Sequence, residues 1–99
     1  MKVVKILESS KAKKDLHKAP KHIVVSYEIW ANLVETHGIG ILNSFPGYKD
    51  EKLMGKWKRY RSSKLNKQWR VIYLVKDTKL REVEIVNVER VSPHDYRRS

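Results

Sequence analysis

The spacing of apolar residues changes along the chain from the period of a strand to that of a helix, and back again. Residues 1–7 are apolar and rich in β-branched side chains, which predicts a first strand. A brief basic helix is expected over 11–18, with Ser9 or Ser10 as its N-cap and Pro20 as the residue that ends it. The N-terminal segment therefore predicts a strand followed by a short helix.

A second, longer helix is predicted from Pro20 to about Thr36. Gly38 follows as a stop signal, because glycine readily adopts the left-handed conformation that ends many helices. One apolar stripe recurs at helical spacing, and we expect it to pack on a sheet. The stripe consists of Ile23, Tyr27, Trp30 and Val34.

The second half of the chain changes to the alternation of strands. Residues 39–53 are irregular, with a short helical piece expected over 41–44. Strands are predicted over 57–63 and 68–76, joined by a turn at 64–67. The stretch is typical of a β-hairpin.

A third strand of the same sheet is predicted over 80–91, after a tight turn at 77–79, and the chain leaves the sheet at Pro93. Its two faces are expected to carry Val83 and Ile85 on one side and Glu82 and Glu84 on the other. Together the patterns predict a single α+β domain over residues 1–99. Its N-terminal helices would cover one face of a small, mostly antiparallel, twisted sheet.

Charge narrows the range of partners. The formal net charge is +11 on 99 residues, which favours binding to polyanions, nucleic acid above all. Because the charge is concentrated in strand-like segments, a membrane-bound amphipathic helix is disfavoured. No apolar stretch reaches the length of a bilayer span, and the N-terminus lacks the apolar core of a signal peptide, so we expect a soluble, cytoplasmic protein.

The absence of cysteine excludes disulfides, thiolate zinc sites and a cysteine nucleophile. Of the four histidines, no two have the i, i+4 spacing of a helical metal site. We therefore expect neither a metal nor another cofactor.

The stretch from 52 to 70 contains eight basic residues and no acidic one. Aromatic side chains lie among them or directly after them: Trp57, Tyr60, Trp69 and Tyr73. Basic and aromatic residues in one stretch are typical of a surface that binds the backbone and bases of RNA.

The residues also fit metal-free RNA cleavage. That reaction needs a group that accepts the proton of the 2′-hydroxyl, a group that protonates the leaving oxygen, and fixed positive charge on the phosphate. Histidine suits proton transfer, and His94 is the one histidine beside the basic strands. The charge could come from Arg70, Arg61 and either Lys56 or Lys58, while Tyr60 or Tyr96 could stack on a base or donate a proton.

These side chains also have ordinary structural interpretations. Arg70 could form an ion pair with Glu82 or Glu84 on the sheet surface, and His94 could be a plain tail residue. Lys56 and Lys58 could form a solvated strand face, whereas Trp57 and Trp69 are expected mainly in the core or facing a helix.

Three motifs resemble the RelE/ParE superfamily of bacterial toxins, and most closely its RelE and HigB-type mRNA interferases. The resemblance covers about Leu53 to Tyr96 and fits the order of the preceding helices. The motifs are Gly55-Lys56-Trp57-Lys58-x-Tyr60-Arg61, Trp69-Arg70-Val71-Ile72-Tyr73 and His94-Asp95-Tyr96.

The resemblance implies a toxin that binds messenger RNA in the ribosomal A site and cleaves it without a metal, and that a cognate antitoxin protein neutralises. The implied catalytic residues are Arg70, on the scissile phosphate, with His94, Lys58, Arg61 and Tyr96. The implied RNA-binding residues are Lys56, Arg59, Tyr60, Lys64, Lys67 and Arg97. Glu51 is not assigned, because it lies well upstream of Arg70 in the sequence.

Two other functions remain open from the sequence. One is a ParE-like toxin that inhibits DNA gyrase by binding and cleaves nothing. The other is a nucleic-acid-binding domain of the same fold without catalytic activity.

Overall fold

The computed structural model describes residues 3–77 and 83–94. In these residues the helices and strands are β1 (Val3–Glu8), α1 (Ser10–Lys18), α2 (Lys21–His37), β2 (Glu51–Lys52), β3 (Arg61–Lys64), β4 (Arg70–Asp77) and β5 (Val83–Ser92). Three short 3-10 turns lie between α2 and β3, at Ile39–Ser44, Pro46–Tyr48 and Gly55–Trp57. The first includes the helical piece predicted over 41–44.

The strands form one sheet in the order β1-β5-β4-β3-β2. β1 pairs with β5 in parallel, whereas the pairs β5–β4, β4–β3 and β3–β2 are antiparallel. The prediction of helices on a mostly antiparallel sheet is confirmed. The hairpin order of β3, β4 and β5 places the start of β4 beside the ends of both neighbours.

Both helices cover the same face of the sheet. The apolar stripe of α2 is fully buried, as predicted, and packs with α1 on the central strands β4 and β5. Neither described helix is long and apolar enough to cross a membrane. The main core consists of Ala12, Ile23, Tyr27, Trp30, Val34, Leu42, Val71, Tyr73, Val86, Val88 and Val91.

Specific caps set the ends of the helices. The Ser9 hydroxyl accepts the Ala12 N–H at 3.0 Å, which identifies Ser9 as the N-cap of α1, and it donates to the carbonyl of Glu89 in β5 at 2.7 Å. Gly38 ends α2 with a φ of +86°, and its N–H donates to the carbonyl of Val34 at 2.7 Å. The cap of α1 therefore also attaches that helix to the sheet.

The prediction of a strand over 57–63 is wrong for its first half. Gly55, at a φ of +65°, begins a 3-10 turn that runs through Trp57, and the strand starts only at Arg61. The turn forms because Trp57 and Tyr60 fold back onto the sheet face opposite the helices, against Leu53 and Ile72. Lys56 and Lys58 therefore do not share a strand face.

The side of β5 that carries Val83 and Ile85 is only partly buried, whereas the side of Glu84 faces the core with Val86 and Val88. Glu84 is 6% exposed, and its Oε1 accepts the Ile39 N–H at 2.8 Å, just after α2. The alternation of apolar and polar residues predicted the strand correctly. It did not predict that a carboxylate would lie on the buried side of that strand.

Candidate active site

Arg70 lies in a row of three cross-strand neighbours at one end of the sheet. It is the first residue of β4 and pairs with Lys64, the last residue of β3, and with Ser92, the last residue of β5. Opposed residues of antiparallel strands project from the same face. This face is the one away from the helices, because Arg70 alternates with the helix-facing Val71. We call these three residues the Arg70 row.

The Arg70 side chain is enclosed, and the part of the chain that the structure describes offers it no partner. The residue is 8% exposed, and among the described residues its guanidinium has no ion pair or hydrogen bond. The alternative pairing with Glu84 is wrong, since Glu84 pairs with Asp77 at the far end of β4; Glu82 lies outside the described residues. Burying a cation without an anion is costly, so this position suits an anion supplied by a ligand.

The β3–β4 hairpin that leads into Arg70 is ordered by its own hydrogen bonds. The Leu65 N–H donates to the Trp69 carbonyl at 2.8 Å. The carboxamide oxygen of Asn66 accepts the N–H groups of Gln68 and Trp69 at 2.8 and 2.7 Å. Asparagine thereby satisfies two backbone donors that the turn would leave open. The hairpin fixes the start of β4, and with it the backbone of Arg70.

An apolar cluster supports the same face beside the Arg70 row. Leu53 and Ile72 are buried, and Trp57 and Tyr60 pack on them with ring centroids 5.0 Å apart at 68°. The Leu53 N–H also donates to the Tyr60 carbonyl at 3.0 Å. Tyr60, a predicted RNA-binding residue, therefore has one side in this cluster while remaining partly exposed.

Exposed cations surround this cluster. Lys56, Lys58 and Arg59 lie on the turn that Trp57 anchors, and Lys67 lies on the β3–β4 hairpin. Since the anchor holds the backbone of the turn, the cations extend from a fixed base although their side chains are solvated. Together with the Arg70 row they form a positive surface on the face opposite the helices.

Arg61 lies on the other face of the sheet. It pairs in register with the core residue Tyr73, and its guanidinium binds Asp50 Oδ2 at 2.9 Å through both Nε and Nη2. Burial opposes the charge of Arg61, but the hydrogen bond and charge of Asp50 outweigh burial and raise its pKa. The structure therefore does not bring Arg61 to Arg70, contrary to the catalytic role that the resemblance implies for it.

Asp50 is the centre of a polar cluster under the helices. Its Oδ1 accepts hydrogen bonds from the hydroxyls of Ser63, at 2.8 Å, and Tyr73. Burial, followed by the charge of Asp50, raises the pKa of Tyr73 well above its usual value. The cluster joins Asp50, the residue before β2, to β3 and β4. It gives Arg61 a structural role that requires no part in catalysis.

The strand register places Glu51 on the sheet face that carries Arg70, which we call the Arg70 face. Glu51 pairs with Ser62, Ser62 with Ile72, and Ile72 with Arg90, so these residues form the row next to the Arg70 row on the same side of the sheet. Glu51 is partly buried. The sequence offered one signal, a carboxylate just before a long basic stretch, but a two-residue strand has no periodicity that could reveal the pairing.

His94 follows the Arg70 row at the end of β5. It lies two residues beyond Ser92, whose hydroxyl accepts the His94 N–H at 3.0 Å. The structure thus brings His94 to the same end of the sheet as Arg70. Tyr96 and Arg97 lie outside the described residues.

No protein-family model matches the chain, and no curated protein matches it significantly. Solved structures do match. YafQ from E. coli strain BL21(DE3) is 23% identical with a TM-score of 0.71, over 89% of this chain and 90% of that one. YafQ in the E. coli DinJ-YafQ toxin-antitoxin complex is 26% identical with a TM-score of 0.64, over 89% of each chain. The heterotetrameric YoeB-YefM toxin-antitoxin complex from Staphylococcus aureus gives 20% identity and a TM-score of 0.67, over 93% of this chain and 98% of that one.

The chain has the fold of the RelE/ParE toxins. The matches cover about nine-tenths of each chain, so the likeness extends over most of the fold. The resemblance inferred from the three sequence motifs is confirmed at the level of the fold.

Proposed function

We propose that the chain is an endoribonuclease toxin that cleaves messenger RNA on the ribosome without a metal and is neutralised by a cognate antitoxin. One observation carries this proposal. Arg70 is enclosed, has no anionic partner among the described residues, and lies between Lys64 and Ser92 on the cationic face of a RelE/ParE toxin fold. A phosphodiester is the anion that this surface of cations and aromatic rings suits best.

In the proposed reaction the ribose 2′-hydroxyl attacks the adjacent phosphorus and the 5′-oxygen leaves. The products are a 2′,3′-cyclic phosphate and a new 5′-hydroxyl. A base must remove the proton of the 2′-hydroxyl, and an acid must supply a proton to the 5′-oxygen. Arg70 binds two non-bridging oxygens, whose negative charge increases in the transition state.

Two ionisable side chains are suited to the proton transfers. Glu51 lies on the Arg70 face, one row along the strands and two strands across from Arg70, and His94 lies just beyond the Arg70 row. We assign the proton acceptor and donor to this pair, with Tyr96 as the alternative donor. Glu51 is an addition to the residues expected from the sequence, and it comes from the strand register.

The remaining assignments concern binding. Lys58 is assigned to the scissile phosphate as a second cation, and Tyr60 to stacking on a base. Cations around them hold the flanking RNA backbone without reading its sequence. These are Lys56, Arg59, Lys64 and Lys67; Arg97, which lies outside the described residues, is proposed to bind the backbone as well. Arg61 is removed from the catalytic group, because its ion pair with Asp50 lies under the helices.

The antitoxin partner is proposed from the relatives. The E. coli DinJ-YafQ and S. aureus YoeB-YefM structures are toxin-antitoxin complexes. A net charge of +11 would make this chain a strong non-specific binder of RNA if its cationic face were never covered. A protein that covers that face would abolish both binding and cleavage.

The proposal is tested by expressing the wild-type chain and Arg70→Ala in growing bacteria and mapping the 5′ ends of messenger RNA. We expect new 5′-hydroxyl ends within translated reading frames for the wild type, and none for Arg70→Ala. Lys21→Ala, an exposed position on the helix side, is the matched control and should cleave as the wild type does. Circular dichroism of each purified variant, with antitoxin removed, checks that it is folded.

Two outcomes would reject the proposal. Growth arrest with intact messages, together with inhibited DNA supercoiling, would favour the ParE-like gyrase inhibitor. Absence of both arrest and cleavage, with RNA binding retained, would favour a non-catalytic binding domain.

A further inference from the structure

An apolar pocket open to solvent lies beside the Arg70 row. Its volume is about 370 Å³, near the lower end of the range for small-molecule sites. The lining residues are Phe45, Pro46, Gly47, Tyr48, Lys64 and Leu65. No catalytic role proposed above uses its apolar walls.

Two aromatic rings form one wall of the pocket. Phe45 and Tyr48 meet edge to face, with centroids 6.2 Å apart at 73°. Phe45 is 43% exposed, and the main core does not account for its position. Tyr48 is partly buried against that core, and this burial raises the pKa of its hydroxyl. The wall therefore offers one exposed ring held by a fixed one.

Backbone hydrogen bonds hold this wall in place. The Tyr48 N–H donates to the Phe45 carbonyl at 3.0 Å, and the Lys49 N–H donates to the Pro46 carbonyl at 3.0 Å. Lys49 itself has a φ of +41°, in the left-handed region, so the chain reverses sharply after the turn. The pocket is thus largely formed before any ligand binds.

Lys64 connects the pocket to the Arg70 row. It lines the pocket, and it is also the cross-strand partner of Arg70. Opposed residues in antiparallel strands have Cβ atoms about 5 Å apart. An RNA strand whose scissile phosphate lies on Arg70 and whose flanking phosphate lies on Lys64 would therefore bring one nucleoside to the mouth of the pocket.

We propose that the pocket binds one nucleobase of the RNA strand whose phosphate rests on Arg70. This proposal rests on the proposed function and adds a base subsite to it. Every nucleobase has an apolar face that stacks on aromatic side chains, and the lysine suits the phosphate attached to the same nucleotide. A peptide from the antitoxin is the other possible occupant, but the continuity with Arg70 through Lys64 favours the base.

The test uses single-stranded heptanucleotides whose 2′-hydroxyls are methylated, so that the attacking group is blocked. Each position in turn carries an abasic sugar, and affinity is measured by fluorescence anisotropy. For the wild type we expect one position at which loss of the base weakens binding roughly tenfold. In Phe45→Ala the intact strand should bind more weakly, and the abasic penalty at that position should disappear.

Ile29→Ala is the matched control. Ile29 is also an exposed large apolar residue, but it lies on α2 and lines no part of the pocket. This variant should retain the full abasic penalty. Ring NMR signals of Phe45 and Tyr48 should shift with the intact heptanucleotide and less with the abasic one.

A wild type without any position-specific penalty, or a penalty that persists in Phe45→Ala, would overturn the base subsite. Ring signals that respond to the antitoxin but not to RNA would assign the pocket to the protein partner instead. The outcome is independent of cleavage. A Phe45-dependent penalty in a chain that cuts no message would support the subsite and refute the nuclease, and cutting without the penalty would do the reverse.

Discussion

Arg61 and Asp50 form an ion pair at 2.9 Å on the helix-covered face of the sheet. Arg61 belongs to the most basic stretch of the sequence, yet its charge is neutralised within the fold. Arg70, nine residues later, faces the opposite side, where no carboxylate of residues 3–77 or 83–94 pairs with it. Two arginines of one basic stretch thus have separable tasks, one in stability and one in ligand binding.

Asp50→Asn is expected to lower the free energy of unfolding by about 2 kcal/mol, because the amide cannot replace a carboxylate that accepts from Arg61, Ser63 and Tyr73. The value is below that for a fully buried pair, since the Arg61 side chain is 39% exposed and solvent screens it. Urea unfolding measures the change. Glu28→Gln, at an exposed position on α2, should change stability by less than ~0.5 kcal/mol. Equal losses of unfolding free energy in Asp50→Asn and Glu28→Gln would contradict the stabilising role of the Asp50 cluster.

Two charge-conserving substitutions should have opposite effects. Arg61→Lys loses the two-pronged contact with Asp50, so it should unfold at lower urea but cleave RNA like the wild type where both are folded. Arg70→Lys should keep its stability and lose cleavage on the order of 100-fold, because lysine cannot bind two phosphate oxygens in one plane. Urea unfolding curves measure the change in stability of each variant, and single-turnover rates measure the change in cleavage. Slow cleavage by folded Arg61→Lys would return Arg61 to the active site.

The helical half of the fold was predictable because its signals are local. The apolar stripe of α2 follows the helical period, and Ser9 satisfies a backbone N–H only three residues away. The register of β4 was not predictable in this way. The partners of Arg70 depend on hydrogen bonds between strands, and one of them, Ser92 on β5, is far from Arg70 in the sequence.

The errors also have physical causes. The alternation in β5 was visible, but which side is buried depends on Glu84, a carboxylate that the Ile39 N–H stabilises from another element. The turn after Gly55 was mistaken for a strand because Trp57 and Tyr60 are residues that strands favour. Both errors arise where tertiary contacts override local preference.

Glu51→Gln is expected to slow cleavage at least tenfold without weakening RNA affinity, because the amide keeps the size of the side chain but cannot accept a proton. Single-turnover rates at saturating enzyme separate this effect from binding. Lys52→Gln is the neighbouring control, since Lys52 pairs with Arg61 and projects from the helix side. If Glu51→Gln cleaves at the wild-type rate, the proton acceptor is another group.

RNA affinity should fall steeply with salt, because bound cations displace counterions from the strand. For single strands each phosphate contact contributes about −0.7 to the slope of log affinity against log salt. Lys58→Ala should therefore reduce the steepness by about 0.7, whereas Lys21→Ala on α2 should leave it unchanged. The slopes are measured by fluorescence anisotropy at about 50 to 300 mM salt, a range over which the screening of charges changes strongly. A flat wild-type response would argue against backbone contacts.

Stability should fall above about pH 10 because two buried tyrosines resist ionisation. Burial, followed by carboxylate neighbours, raises the pKa of Tyr27 and Tyr73 well above the usual value. A group whose pKa is raised in the folded state contributes stability that is fully present below its unfolded pKa, near 10, and is lost as the pH rises further. The wild type should thus be progressively destabilised in alkaline solution.

Tyr27→Phe isolates one of these contributions from the general titration of lysines. The substitution removes the hydrogen bond from the Tyr27 hydroxyl to Glu8, 2.6 Å long, so it should be destabilising at pH 7. At pH 11 the unfolded wild type gains from ionising Tyr27, whereas the variant has nothing to ionise there. The destabilisation should therefore be smaller at pH 11 by about 1.4 kcal/mol, the value of one pKa unit. Urea unfolding of both proteins at the two pH values measures this difference, and equal destabilisation at both would show that Tyr27 ionises as readily in the folded chain as in the unfolded one.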